Sequence, residues 1–208
     1  MSGDRADMFS RGSRVLAAAL ASVIAVAGIA VAAGNGSLAS PETFNGIPDP
    51  AQRSAAYFTE LSKVLTHPRC TNCHPATDRP RQGDGARLHQ PPVFRGADGF
   101  GTPSLRCSTC HGPDNFEPAG MPGHPLWHLA PAEMAWEGKT PAQICAQISD
   151  PARNGGRALT DLIAHIGDDT LVGWAWHPGG GRTPAPGSQK QAKALVEAWV
   201  ATGGACPK

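Results

Sequence analysis

The sequence predicts a mainly α-helical domain with long ordered loops and little or no β-sheet. In several segments apolar residues recur at spacings of three and four, which is typical of helices that bury one face. The segments between them show no usable period and are rich in Gly and Pro, of which the 208-residue chain contains 25 and 20. We therefore expect a single domain in which helices are joined by loops that packing holds in place.

The first helix is predicted over residues 50–66. Phe58, Leu61 and Leu65 lie on one face at helical spacing, and Asp49 is a suitable N-cap immediately before a proline. Because a proline disfavours helical geometry in the residue before it, the helix should end before Pro68.

Three more helices are predicted in the C-terminal half. One begins at Thr140-Pro141, since proline is favoured at the first helical position, and runs through Ile148. Another covers residues 157–166. The last follows a capping box formed by Ser188 and Gln191 and ends at Gly203-Gly204.

One five-residue pattern, C-x-x-C-H, occurs twice: Cys70-Thr71-Asn72-Cys73-His74 and Cys107-Ser108-Thr109-Cys110-His111. It is the attachment pattern of c-type haem, in which both thiols bond to the porphyrin and the histidine is the proximal iron ligand. Two matches predict two covalently bound haem c groups; zinc binding and dithiol chemistry are the alternatives. The expected attachment residues are Cys70, Cys73, Cys107 and Cys110, and the expected proximal ligands are His74 and His111.

The two motifs begin only 37 residues apart, so both haems must share one domain and lie close together. This spacing resembles that of small multihaem cytochromes, in which bis-histidine ligation is common. The intervening residues 75–106 form an unusually long stretch without a period, and covering a large apolar cofactor would explain its order. The fold class is therefore a small dihaem, multihaem-like cytochrome c domain.

The distal iron ligands are predicted to be His89 and His165. His89 lies in the loop between the motifs, and His165 flanks the apolar face of a predicted helix, about 120° from the centre of that face. His177, which precedes a proline in a turn, is expected at the surface. The weaker distal candidates are His67, His124, His128, Met121 and Met134.

The N-terminal residues resemble an export signal. Three arginines precede an apolar run over 15–33, and Ser37-Leu38-Ala39 fits a cleavage site. We expect residues 1–39 to be a signal peptide or an uncleaved membrane anchor, 40–49 a linker, and 50–208 the dihaem domain. Both alternatives place the domain in the periplasm, where c-type haem is attached in bacteria.

The remaining cysteines, Cys145 and Cys206, are predicted to form a disulfide, because an oxidising compartment favours pairing; two buried free thiols are the alternative. Removal of residues 1–39 would leave 15 basic and 15 acidic side chains. A net charge near zero gives no support to nucleic-acid binding.

The stretches THPRCTNCHP, HLAPAEMAWEG, ICAQISDPARNGGRAL, LVGWAW and PGGGRTPAPG together resemble a group of small proteobacterial periplasmic dihaem cytochromes. Some members are labelled isoquinoline 1-oxidoreductase subunits, which implies a molybdenum hydroxylase as electron donor. The resemblance implies an electron carrier, or a subunit of an oxidoreductase, that passes electrons to other cytochromes or the respiratory chain. The alternatives are a small dihaem peroxidase with one open iron and a haem-based sensor.

Overall fold

The computed structural model describes residues 36–208, so most of the predicted signal peptide or anchor lies outside the described residues. The described chain is mainly helical, with two small antiparallel sheets and long connecting loops, as the sequence predicts. None of its helices combines the length and the apolar character needed to cross a bilayer. The helices are α1 (Pro50–Leu65), α2 (Pro68–Thr71), α3 (Pro141–Ile148), α4 (Asp161–Gly167), α5 (Thr170–Gly173) and α6 (Gln189–Ala201).

Local capping explains where the longer helices begin. The Asp49 carboxylate accepts a hydrogen bond from the Gln52 N–H at 2.7 Å, which caps α1. Thr140 and Gln143 form a reciprocal capping box on α3, and the Ser188 hydroxyl caps α6. The predicted starts of these three helices are confirmed.

The core lies where α1 and α4 pack against α6. Phe58 of α1 and Trp199 of α6 are fully buried, with ring centroids 5.1 Å apart. Ser54, also fully buried, donates to the Trp199 carbonyl at 3.2 Å and accepts from the Ala205 N–H at 2.9 Å. These bonds satisfy the buried hydroxyl and hold the C-terminal tail against α1.

A disulfide joins Cys145 of α3 to Cys206 in the C-terminal tail, which confirms the predicted pairing. Cys145 is fully buried in the core. The bond therefore fixes the end of the chain to α3 through a residue that packing already holds in place.

Helix α4 begins later than the sequence predicts, at Asp161 instead of 157. The buried Asn154 explains the difference, because its side chain donates to the carbonyls of Ile148 and Arg157 at 2.7 and 2.9 Å. Its side-chain oxygen also accepts from the Arg157 N–H at 2.8 Å. These bonds hold residues 154–157 in a turn that cannot continue as helix.

The loop between the motifs contains two hairpins of two-residue strands. Strand β1 (Arg81–Gln82) pairs with β2 (Arg87–Leu88), and β3 (Gly101–Thr102) pairs with β4 (Leu105–Arg106). Such short strands leave no period in the sequence, and for this reason they were not predicted.

The buried Arg95 holds this loop in place. Its guanidinium donates to the carbonyls of Thr77, at 3.0 Å, and Ala130, and its Nε lies 3.4 Å from the Asp78 carboxylate. A cation bonded to several carbonyls can order a loop that has little apolar surface of its own to bury.

The residues before α1 belong to the same packed unit. The segment predicted as a linker contains a short 3-10 helix, Pro41–Phe44, and the Phe44 ring lies 5.3 Å from that of Tyr57. Leu38, within the proposed cleavage site, is only 4% exposed and lies in the core. The Ala39 N–H donates to the Glu60 carboxylate at 2.8 Å. Ordered packing thus begins before residue 40.

Candidate functional site

Both C-x-x-C-H motifs fold into the same kind of backbone turn. The first begins within α2, whose last two residues are Cys70 and Thr71, and the second begins with a short 3-10 helix, Cys107–Thr109. In each, the histidine N–H donates to the carbonyl of the first cysteine, at 3.1 Å for His74 and 3.0 Å for His111. Each turn therefore brings two thiols and one imidazole together on a single short stretch of backbone.

The motif histidines share one hydrogen-bond arrangement. Nδ1 of His74 lies 2.6 Å from the Met134 carbonyl oxygen, and Nδ1 of His111 lies 2.6 Å from the Pro122 carbonyl oxygen. Because a carbonyl can only accept, each Nδ1 carries the proton and donates. In a neutral ring this leaves the Nε2 lone pair free, and a backbone carbonyl is a common orienting partner of a metal-bound histidine.

The first motif opens into a cavity of about 310 Å³, here called the His74 cavity. Cys70, Cys73 and His74 line it together with His165 and His128. Trp136 stacks on the His74 ring, with centroids 3.5 Å apart and planes within 5°. The imidazole is therefore fixed by its carbonyl partner and by an aromatic face.

The second motif opens into a cavity of about 490 Å³, here called the His111 cavity. Cys107, Cys110, His111 and His89 line it, and the ring centroids of His89 and His111 are 6.0 Å apart. Two metal–nitrogen bonds of about 2 Å each, with the ring radii added, span roughly that distance. Both volumes are in the range of cofactor sites.

The two cavities are neighbours and share part of their walls. Arg69, Cys73, Trp127, His128 and Trp174 line both of them. Within this shared wall, the rings of Trp127 and Trp174 meet edge to face at 4.9 Å. The structure thus brings the two motifs together, as their close spacing in the sequence predicts.

Every histidine that lines a cavity has Nδ1 beside an acceptor. In addition to the motif histidines, Nδ1 of His89 lies 3.1 Å from the Pro91 carbonyl and that of His128 lies 2.5 Å from the Leu126 carbonyl. Nδ1 of His165 lies 3.3 Å from the Asp169 carboxylate. In all five rings Nδ1 faces an oxygen atom, so that Nε2 is the nitrogen available to bind a metal.

The remaining histidines and the two methionines predicted as weaker distal ligands have other contacts or positions. Nδ1 of His67 accepts from the Arg69 N–H at 3.2 Å, capping α2, and Nδ1 of His124 accepts from the Leu126 N–H at 3.1 Å. Neither of these two histidines lines the His74 cavity or the His111 cavity, and His177 is exposed. Met121 lines the His111 cavity, and the buried Met134 lines the His74 cavity.

Burial keeps the key side chains neutral. It lowers the pKa of His74 to about 4 and also lowers the pKa of His111 and His165. Burial raises the pKa of Cys70 to about 12 and that of Cys73 to about 11. Reactive redox dithiols have a lowered pKa, so these protonated thiols do not favour the dithiol alternative.

No protein-family model, no curated protein and no solved structure matches this chain. Over residues 36–208, no group of three or more His, Cys, Asp or Glu side chains is arranged to hold a bare metal ion.

The donor set of each cavity fits a covalently attached iron porphyrin. Each cavity offers the two thiols of one motif, the neutral imidazole of that motif with Nδ1 bonded to a carbonyl, and a further imidazole in the wall. All four motif cysteines are free thiols, unlike the disulfide-bonded pair. The cavities and their donors thus suit the group that the motifs predict.

Sequence reasoning did not find the buried arginines. Arg69 and Arg95 are only 4% and 6% exposed, although arginine is rarely buried without a partner. For Arg69 the available signal was its position immediately before Cys70, which places it beside the first motif. For Arg95, within the loop, no sequence signal pointed to burial.

Proposed function

We propose that this chain is a periplasmic electron-transfer protein that carries two covalently bound haem c groups. It accepts electrons from a periplasmic dehydrogenase and passes them towards the respiratory chain. When bound, haem iron supplies reversible one-electron chemistry. The chain's own part is to attach the groups, orient their ligands and hold the two sites side by side.

One observation carries the proposal: every cavity-lining histidine has Nδ1 beside a carbonyl or carboxylate oxygen. This arrangement fixes the tautomer in which Nε2 can bind a metal. His67 and His124, whose Nδ1 atoms accept backbone N–H groups, lie outside both cavities. The hydrogen bonds therefore separate the histidines suited to bind iron from the others.

The motif cysteines serve for attachment. Cys70 and Cys73, and likewise Cys107 and Cys110, would hold one group each through thioether bonds, formed by adding each S–H across a vinyl double bond with no leaving group. Cys73 lines both cavities, which supports attachment at neighbouring positions. Because the His74 and His111 cavities share a wall, the two haems would lie side by side. A short distance between them favours rapid electron exchange.

The histidine imidazoles would determine the ligation of the two irons and therefore their reduction potentials. His89 with His111, and His165 with His74, would hold the two irons by bis-histidine ligation. This lowers reduction potentials relative to a methionine ligand, because Met/His ligation raises them. Low-potential sites suit a chain that accepts electrons from a dehydrogenase.

The His111 site is the more accessible of the two. Cys110 is exposed, and Phe94 in the wall of the His111 cavity is half exposed. Partner proteins therefore exchange electrons at this site. The resemblance to subunits labelled isoquinoline 1-oxidoreductase supports a molybdenum hydroxylase as the donor.

The test is a reductive titration of the purified protein under visible spectroscopy, with cyanide and peroxide added to the oxidised form. We expect low-spin spectra, uptake of two electrons per chain and slow binding of both ligands. A high-spin ferric band with rapid cyanide or peroxide binding would instead indicate a peroxidase-like enzyme with one open iron. A colourless protein would contradict both functions.

A further inference from the structure

Arg69 is a buried cation whose hydrogen bonds are incomplete. It belongs to α2, directly before Cys70, and its side chain is 1% exposed. One guanidinium nitrogen pairs with the Asp84 carboxylate, and the carbon of the guanidinium lies 6.0 Å from the centroid of the Trp174 ring. The buried Nε has no hydrogen-bond partner.

The position of Arg69 connects it to both sites, since it lies in the wall shared by the His74 and His111 cavities. Asp84, its counter-ion, is 47% exposed and also binds Thr183. Water screens the exposed carboxylate more strongly than the buried guanidinium. The ion pair therefore leaves a net positive potential inside both cavities.

We propose that Arg69 raises the reduction potentials of both haem sites by placing one buried positive charge in their common wall. The inference builds on the proposed function. Reduction adds an electron to each site, and a nearby cation stabilises the reduced form in each case. One residue thus raises both potentials together, because it lies in the wall that the two cavities share.

The experiment is a spectroelectrochemical titration of the dihaem protein and its variants. Arg69→Gln removes the charge and Arg69→Lys keeps it. Arg53→Gln is the control, because Arg53 lies on α1 outside both cavity walls. We expect Arg69→Gln to shift both reduction equilibria roughly tenfold towards the oxidised form, about 59 mV each. Arg69→Lys and Arg53→Gln should stay near the wild type.

Asp84→Asn should shift the reduction potentials in the opposite direction to Arg69→Gln. It therefore tests the proposed role of Arg69 even if Arg69→Gln does not fold. Removing the carboxylate charge should raise both potentials, by less than Arg69→Gln lowers them, because water already screens the exposed Asp84. The proposal is overturned if a folded Arg69→Gln moves neither potential or only one. If that variant does not fold, the proposal is overturned when Asp84→Asn raises neither potential. Haem content is measured first, and a wild type without two haems contradicts the proposed function. If the wild type carries two haems but the variants leave the potentials unmoved, only the proposed role of Arg69 is contradicted.

Discussion

The imidazole rings of His89 and His111 face the same cavity with centroids 6.0 Å apart, although they belong to different loops. Each Nδ1 is held by a carbonyl, of Pro91 and Pro122 respectively. The spacing leaves room for one metal ion between the rings. The two rings therefore have the spacing that the predicted proximal and distal ligands of one haem would need.

Single replacement of the distal candidates tests the ligand assignment. We expect His89→Ala and His165→Ala each to convert one haem from low spin to high spin, because each would remove the proposed distal nitrogen ligand. His177→Ala is the matched control, since His177 is exposed and lines neither cavity. The measurement is electron paramagnetic resonance of the oxidised protein.

If His165→Ala leaves the spectrum unchanged, His128 is the next candidate for the distal ligand in the His74 cavity. It lines the His74 cavity too, and its Nδ1 is bonded in the same way. A high-spin signal in His128→Ala alone would move the ligand from His165 to His128. If all three variants remain low-spin, bis-histidine ligation is wrong.

The disulfide should contribute strongly to stability. Cys145 and Cys206 are separated by 61 residues, and a loop of this length corresponds to about 4 kcal/mol in the chain-entropy model. We expect the double variant Cys145→Ala/Cys206→Ala to lose roughly that free energy of unfolding in a urea titration. An unchanged titration midpoint would show that packing alone holds the C-terminal tail.

Leu38 should also matter for stability, because it is buried in the core. Leu38→Ala should cost roughly 2–5 kcal/mol, whereas Leu126→Ala, at a site that is 58% exposed, should cost little. The measurement is thermal unfolding of both variants beside the wild type.

The burial of Leu38 also leads to a prediction about where the chain is cleaved. Cleavage after Ala39 would remove Leu38 from the core, so we expect N-terminal sequencing to show that any mature form of the protein begins before Leu38. A mature chain that starts at Ser40 and is as stable as the longer form would contradict this expectation.

The sequence predicts those parts of the fold that local interactions determine. Helices α1, α3 and α6 begin where Asp49, Thr140 and Ser188 cap them, and a cap needs only the next three residues. The late start of α4 depends on Asn154, whose carbonyl partners include one in the preceding helix. Such a bond cannot be predicted from periodicity.

The candidate site was predictable to the extent that chemistry is encoded in short motifs. The positions of the motif cysteines and histidines follow from the C-x-x-C-H spacing. The burial of Arg69 between two cavities arises only when distant loops pack together. The sequence places Arg69 beside the first motif but gives no sign that its side chain is buried.

The most direct test of the central claim is the intact mass of the exported protein after extraction with acidified organic solvent. We predict that the wild type retains the mass of two haems, and that Cys70→Ser/Cys73→Ser and Cys107→Ser/Cys110→Ser each retain one. A wild-type mass equal to that of the bare polypeptide would contradict the account.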